Sequence, residues 1–336
     1  MFRSWQQPLH RTHGSPAGDE LSALGRATAW INSGPLTATS LKGKVVLVQF
    51  WTFTCINWLR TLPYMRTWEA AYKDAGLVVI GAHTPEFSFE HDLGNVRRAA
   101  AEMKVSYPVA VDSDYGIWRG FNNQYWPALY LLDGTGRVRY THFGEGEYEE
   151  SERRIQELLT ESGATVSGRQ LSVVKGQGIE AAADWPDLRS PENYVGFQRT
   201  EGFASPGGPA QGRRRRYTLP RALRLNQWGL EGEWTVEKEF IALDQPNGRI
   251  GYRFHGRDLH LVMGPPAGAR PVRFRVLLDG QPATTAHGAD VDAQGNGTAT
   301  TQRLYQLIRQ STPVVDRVFE IEFLDPGVQA FSFTFG

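Results

Sequence analysis

Between about residues 27 and 161 the chain alternates short apolar runs with stretches of helical spacing. "KVVLVQFW" (44–51) is a continuous apolar run bounded by "LKGK", the pattern of a strand buried on both faces. A helix should follow from about Cys55 through "INWLRTLPYMRTWEAAYKDAG" and stop near Gly76, with Pro63 as a kink. "LVVIGAHT" (77–84) reads as the next strand and 90–105 as a second helix. "YPVAVD", "PALYLLD" and "GRVRYTHFG" supply further strands before the amphipathic "YEESERRIQELLTES". Strand and helix alternating in this order predict an α/β layer.

Past residue 162 the periodicity is lost. Residues 162–195 mix Gly, Ser and Pro without a sustained repeat and read as a linker. From 196 to 336 the period becomes two: Val272, Phe274, Val276 and Leu278; Phe319, Ile321 and Phe323; Phe331, Phe333 and Phe335. With the turn pairs "NG" (247–248) and "DG" (279–280), this predicts antiparallel sheets in a β-sandwich or jelly roll. A length of 336 residues agrees with two domains, at the usual ~150 residues each. Residues 1–26 carry basic side chains but no continuous apolar segment, so they read as a loose arm rather than a secretory signal.

Charge removes whole classes of partner. Lys plus Arg and Asp plus Glu number 36 each, so no net field draws the protein to nucleic acid or an anionic membrane. The apolar runs at 45–48 and 77–82 are far shorter than the roughly 20 residues of a spanning helix, so no membrane span is expected. The single cysteine excludes an intramolecular disulfide. "DVDAQG" (290–295) begins like a calcium loop, but Gln294 and Thr301 stand where acidic ligands belong, and it reads as a turn. "RRRR" (213–216) reads as a solvated loop, and the eight histidines show no zinc-type spacing with Cys55.

Cys55 stands where a buried strand gives way to a helix. Backbone N–H groups and the helix dipole at such a position favour a thiolate and hence nucleophilic attack. An inert buried thiol is the other reading of a lone cysteine.

The aromatic "FW" before Cys55, Pro63 one helical stretch later and the Trp126-Pro127 pair in "YWPALYLLDGTG" resemble the thioredoxin fold, in particular its TlpA/ResA-type and redoxin (AhpC/TSA) branches. The resemblance implies a cis Pro127 that faces the attacking cysteine and positions substrate. It implies a carboxylate near the cysteine at Glu86, as proton acceptor; a solvated loop residue is that glutamate's other reading. Gln49 occupies the strand position where thioredoxin buries an Asp. More tightly, "FWTFTCINWLRTLPY", "HTPEFSFEHD", "QYWPALYLLD", "RSPENYVGFQR" and "FEIEFLDPGVQAFSFTFG" look like the soluble C-terminal part of DipZ-type proteins. In that group a CcdA-like membrane segment precedes an extracytoplasmic thioredoxin-like domain and a jelly roll of galactose-binding type, similar to carbohydrate-binding modules. Against that pattern the chain lacks the membrane segment, and Cys-Ile-Asn-Cys is here Cys55-Ile56-Asn57-Trp58.

Two functions follow. In the first, Cys55 attacks a disulfide, a mixed disulfide or a peroxide, flanked by Trp51, Thr52, Thr54, Asn57, Trp58 and Trp126. With no resolving cysteine and no bound cofactor, an external thiol such as glutathione or thioredoxin must regenerate it. Thr52 matches the peroxiredoxin pattern Pro-x-x-x-Thr-x-x-Cys, but Val48 stands at its proline. In the second, the site is redox-degenerate and Trp51, Phe53, Trp58 and Trp126 form a recognition surface, with packing around the site as their other reading. The β-domain would take carbohydrate, with Trp228, Trp234 and Tyr305 as available aromatic faces or as core residues. The visible N-terminus points to the cytoplasm; the resemblance points to the periplasm.

Overall fold

A computed structural model describes residues 20–166 and 168–336, which form two compact units, one ending at Glu180 and the other spanning Ala181–Gly336. The division falls inside the stretch that reads as a linker. Of the expected arm, residues 1–19 lie outside the described residues. Residues 20–26 form α1 (Glu20–Ala23) and a 3-10 turn whose Leu21, Ala23 and Leu24 enter the core.

The first unit is a six-stranded sheet in the order β1-β4-β3-β2-β5-β6. Its strands are β1 (Ala29–Ile31), β2 (Val45–Trp51), β3 (Leu77–His83), β4 (Val109–Val111), β5 (Ala128–Leu132) and β6 (Val138–Phe143). β2, β3 and β4 run parallel, while β5 runs antiparallel to β2. All seven residues of β2 are buried, which is why its sequence is apolar at every position but Gln49 rather than alternating. Val46, Val48 and Phe50 pack into one cluster with Ile80, Ala82 and Phe121. The opposite face, with Gln49 and Trp51, meets α2 (Ile56–Tyr72). α2 runs through Pro63, and after one 3-10 turn the chain reverses at Gly76, whose φ of +99° only glycine adopts without strain. α3 (Leu93–Glu102), α4 (Gly116–Gly120) and α5 (Tyr148–Glu161) complete the layers.

The second unit is antiparallel throughout its named strands. β7 (Asn193–Tyr194), β8 (Arg214–Tyr217), β9 (Trp228–Val236), β10 (Ile241–Leu243), β11 (Gly248–Phe254), β12 (Asp258–Gly264), β13 (Val272–Leu278), β14 (Gln281–Pro282), β15 (Asn296–Ala299), β16 (Arg303–Arg309), β17 (Arg317–Phe323) and β18 (Gln329–Phe335) follow in chain order. The path β14-β13-β17-β11-β9-β10-β18-β12-β16 folds over at β9, which pairs with β11 through its first half and with β10 through its second. Gly232, at φ +97°, sits between the two halves. The layers close face to face, with Tyr252 on Phe333 at 5.0 Å, Phe319 on Phe333 at 6.0 Å and Phe274 on Tyr305 at 6.4 Å between ring centres. β13 keeps the predicted alternation, Val272, Phe274, Val276 and Leu278 inward.

Three readings meet the structure directly. "RRRR" is not a loop: Arg214–Tyr217 pair with β9, Arg214 bonds Glu233 across the strands, and Arg215 holds the carbonyls of Pro206, Gly207 and Gly208. The local composition hid a strand whose cationic side chains find partners in the tertiary fold. "DVDAQG" is a turn, with Asp292 Oδ1 accepting the N–H of Gln294 and of Asn296. Trp228, Trp234 and Tyr305 are fully buried and donate to the carbonyls of Glu201, Glu231 and Thr301, so they offer no aromatic face to a sugar. Among the described residues, no helix is long and apolar enough to cross a membrane.

The α/β unit is packed tightly where β3 passes Trp51. A Cβ on Gly81 would lie 2.7 Å from Trp51 Nε1 and 3.1 Å from the Tyr107 ring, and Trp51 is held between Trp58 and His83. Gly81→Ala should therefore destabilise the unit by about 1–3 kcal/mol in urea unfolding. Wild-type stability would show that the indole can give way.

Candidate functional site

The site forms where β2 ends. After Trp51 the chain turns through residues 52–55, closed by the Cys55 N–H on the Thr52 carbonyl at 3.3 Å. Cys55 is the residue that caps α2: its backbone is extended, with φ −77° and ψ 112°, and its carbonyl already accepts the N–H of Leu59 at 3.0 Å. The thiol is thus presented at a helix N-terminus, half-buried. Its Sγ lies 3.9 Å from the carbonyl oxygen of Trp126, whose peptide bond to Pro127 is cis.

That wall is braced from behind. The Trp126 indole donates to the Thr84 carbonyl at 3.0 Å and leans on Trp118 at 4.2 Å. Thr84 is held by its own N–H on the Trp51 carbonyl and by its hydroxyl on Asp112. Asp112 also accepts the N–H groups of Ile117 and Trp118 at the start of α4. Burial pushes its carboxyl up, against those hydrogen bonds.

Beneath the cysteine, Trp58 occupies the position of a second thiol and is fully buried. Its ring stacks on Trp51 at 4.2 Å and 22°, and its Nε1 donates to Gln49 Oε1 at 3.0 Å. Gln49 Nε2 in turn donates to Thr61 Oγ1 at 2.8 Å, and Thr61 donates to the Trp58 carbonyl at 2.7 Å. The loop of donors and acceptors closes without a charge. A neutral amide can both accept from an indole and donate to a hydroxyl, whereas a buried carboxylate there would carry an uncompensated charge.

Trp51, Phe53 and Trp58 do not form a surface: each is at most 2% exposed, because β2 is central in the sheet and α2 covers them. Trp126 alone of the four aromatics is partly exposed. Thr52 and Thr54 are buried and Asn57 is half-buried in the first turn of α2. His83, at the end of β3, lies between the edge of Trp51 and the face of Phe53, with neither ring nitrogen hydrogen-bonded. Desolvation lowers it to about 3, so it is neutral.

Glu86 is half-buried in the loop after β3, and its backbone N–H donates to the side chain of Glu90 at 2.7 Å. Glu90 is the carboxyl group the sequence reading missed. It is fully buried, accepts a second N–H from Phe87 at 2.9 Å, and accepts the hydroxyl of Thr54, the residue before Cys55, at 2.7 Å. The available signal was a glutamate at the third position of a short helical turn, where it can bond back to the turn's entry. Phe87 rather than Ser or Thr precedes that turn, so the usual signature is incomplete. Burial pushes the Glu90 carboxyl up to about 7, opposed by the hydrogen bonds it accepts. Among the described residues, no group of three or more His, Cys, Asp or Glu side chains is placed to hold a metal ion.

The redoxin family model matches residues 17–159, and the model for a thioredoxin-like C-terminal domain matches residues 190–336. The chain is 34% identical over 312 residues to the protein DipZ of Mycobacterium tuberculosis, which covers 92% of this chain but only 42% of DipZ. It is 33% identical to the thiol-disulfide oxidoreductase YkuV of Bacillus subtilis over 135 residues, covering 40% of this chain and 90% of YkuV. A thioredoxin-like protein solved in solution in its oxidised form is 32% identical, with 40% of this chain and 90% of that one covered and a TM-score of 0.37.

The raised Glu90 carboxyl has a measurable sign. A carboxyl raised from 4.5 to about 7 on folding favours the native state while protonated; that contribution is complete below 4.5 and is lost as pH rises through 7. Glu90→Gln stays neutral throughout. Relative to this variant, the wild type should lose up to roughly 3 kcal/mol between pH 4.5 and 8 in urea unfolding. A difference independent of pH would mean that Glu90 is ionised across the range.

Proposed function

Because the chain belongs to the thioredoxin-like thiol-disulfide oxidoreductase family, we propose that it exchanges disulfides through Cys55 alone, with the second thiol supplied from outside. The observation that carries this reading is the contrast between the two ends of the Cys-x-x-Trp segment. Cys55 is half-buried beside the Trp126 carbonyl, whereas Trp58 is sealed into a packed layer with its own indole N–H bonded to Gln49.

The chemistry balances in two steps. The Cys55 thiolate attacks one sulfur of a substrate disulfide, forming a Cys55–substrate disulfide and releasing the other sulfur as a thiolate. An external thiol such as glutathione, or a protein thiol, then attacks that mixed disulfide; Cys55 leaves as the thiolate and the substrate half departs joined to the external sulfur. In this reading Glu86 takes the proton that leaves Cys55, and Pro127 with the Trp126 carbonyl aligns the substrate backbone. A peroxide in place of the disulfide would leave a sulfenic acid on Cys55, again resolved from outside. A disulfide-containing protein is the substrate class favoured by the family. The sandwich receives no ligand in this reading, since its three aromatic candidates serve the core.

Mixing the protein with an aromatic disulfide should yield one mixed disulfide per chain, seen as one released thiolate and a matching mass increase. The adduct should persist until glutathione is added, and Cys55→Ser should form none. Spontaneous loss of the adduct without added thiol, or turnover by Cys55→Ser, would overturn the proposal.

A further inference from the structure

We propose that Glu90 is a positioning residue for Cys55: its carboxyl ties the cysteine turn to the loop after β3 through Thr54, and its charge governs how readily Cys55 becomes a thiolate. This rests on Cys55 being the nucleophile, but reads a property of the site that substrate turnover alone does not report.

The geometry is one-sided. Glu90 is fully buried; the N–H groups of Glu86 and Phe87 and the hydroxyl of Thr54 donate to it, and the Thr52 hydroxyl beside it also favours its charged form. The two N–H groups converge on Oε2, and the Thr54 hydroxyl donates to Oε1. Thr54 is covalently next to Cys55, so a charge on Oε1 acts on the thiol across one hydrogen bond and one step of the chain. A proton on Oε1 would have to be accepted by Thr54 Oγ1, which reverses the hydroxyl. Charge on Glu90 and orientation of the Thr54 hydroxyl therefore change together.

The other ionisable groups around this carboxyl leave it in control. Glu86, on the same loop, adds a like charge that raises it further. His83 is neutral, Asp112 is engaged with Thr84 and the start of α4, Asp92 caps α3, and His91, which ends the short turn, acts on His83. With the carboxyl pushed up to about 7, the exchange between its two states falls in the range where thiols begin to react.

Since the chain has one cysteine, alkylation by iodoacetamide reports Cys55 without background. Rates should be followed from pH 5 to 10 for the wild type, Glu90→Gln, Glu86→Gln, Thr54→Val and Thr54→Ser. Gln is isosteric, and its oxygen can accept both N–H groups while its amide donates to Thr54, so Glu90→Gln removes charge with little change of shape. The wild-type profile should depart from a single ionisation near pH 7. Glu90→Gln should follow a single ionisation shifted to lower pH, with alkylation about three- to tenfold faster at pH 7.5 and an unchanged limiting rate. Glu86→Gln should keep the two-step shape. Thr54→Val, which removes a donor to the carboxylate, should move the lower step to higher pH, and Thr54→Ser should restore it. A Glu90→Gln profile superimposed on the wild type overturns the proposal; should that variant not fold, an unmoved lower step in Thr54→Val does the same. Failure of Cys55 to form a mixed disulfide would instead overturn the exchange reaction, because the alkylation profile needs no disulfide substrate.

Discussion

The bond from the Trp58 indole to Gln49 is the interaction on which the site depends. A buried indole N–H without an acceptor costs free energy, and Trp58 finds its acceptor in β2, where the sheet side chain points at the helix. Gln49 meets that need and passes its own N–H to Thr61. Trp51, two residues along on the same face, then stacks on the indole and fixes the rotamer. The floor under Cys55 is consequently rigid, apolar at its rim and neutral at its centre.

A neutral floor shifts the control of charge to the side walls. On one side Asp112, Thr84 and Trp126 form a chain of hydrogen bonds that fixes the carbonyl facing the thiol. On the other, Glu90 holds Thr54 and the backbone of residues 86 and 87. Each wall is anchored by a buried carboxyl raised by desolvation, and each carboxyl accepts two backbone N–H groups besides threonine hydroxyl bonding. The cysteine turn is thus held by side chains whose own rotamers are locked, which is what preorganisation of a reactive group requires.

Much of this arrangement was legible in the chain. The continuous apolar run of β2 could only be a strand covered on both faces, and Gly76 marked the stop of α2 after a long helical period. Period-two alternation identified the sandwich because β13 exposes Arg273 and Arg275 while burying their neighbours. What pattern could not supply was the side on which an aromatic lies: Trp51, Phe53 and Trp58 are sequence neighbours of the half-buried Cys55, yet all three are buried. The arginine run misled for the complementary reason. Its partner, Glu233, is on another strand and becomes visible only once β8 and β9 are paired. Glu90 escaped because the bond that ties it to the site runs to Thr54, 36 residues earlier in the chain, a separation no local pattern encodes.

The packing also says what kind of departure from a two-cysteine site this is. Exchanging Trp58 for a cysteine would not simply complete a pair. It would remove a side chain that fills the space between β2 and α2, expose the Trp51 face to a void and leave Gln49 without a donor. Loss of a buried Trp side chain costs about 3–5 kcal/mol when the surroundings cannot collapse, and here the neighbours are a central strand and a helix already in contact. The layer behind Cys55 is built around the indole, with Gln49 and Thr61 matched to it in hydrogen-bonding capacity. Cys55 is the one cysteine of the chain, and the space behind it is filled by the Trp58 indole, so its thiol is open only on its half-exposed side.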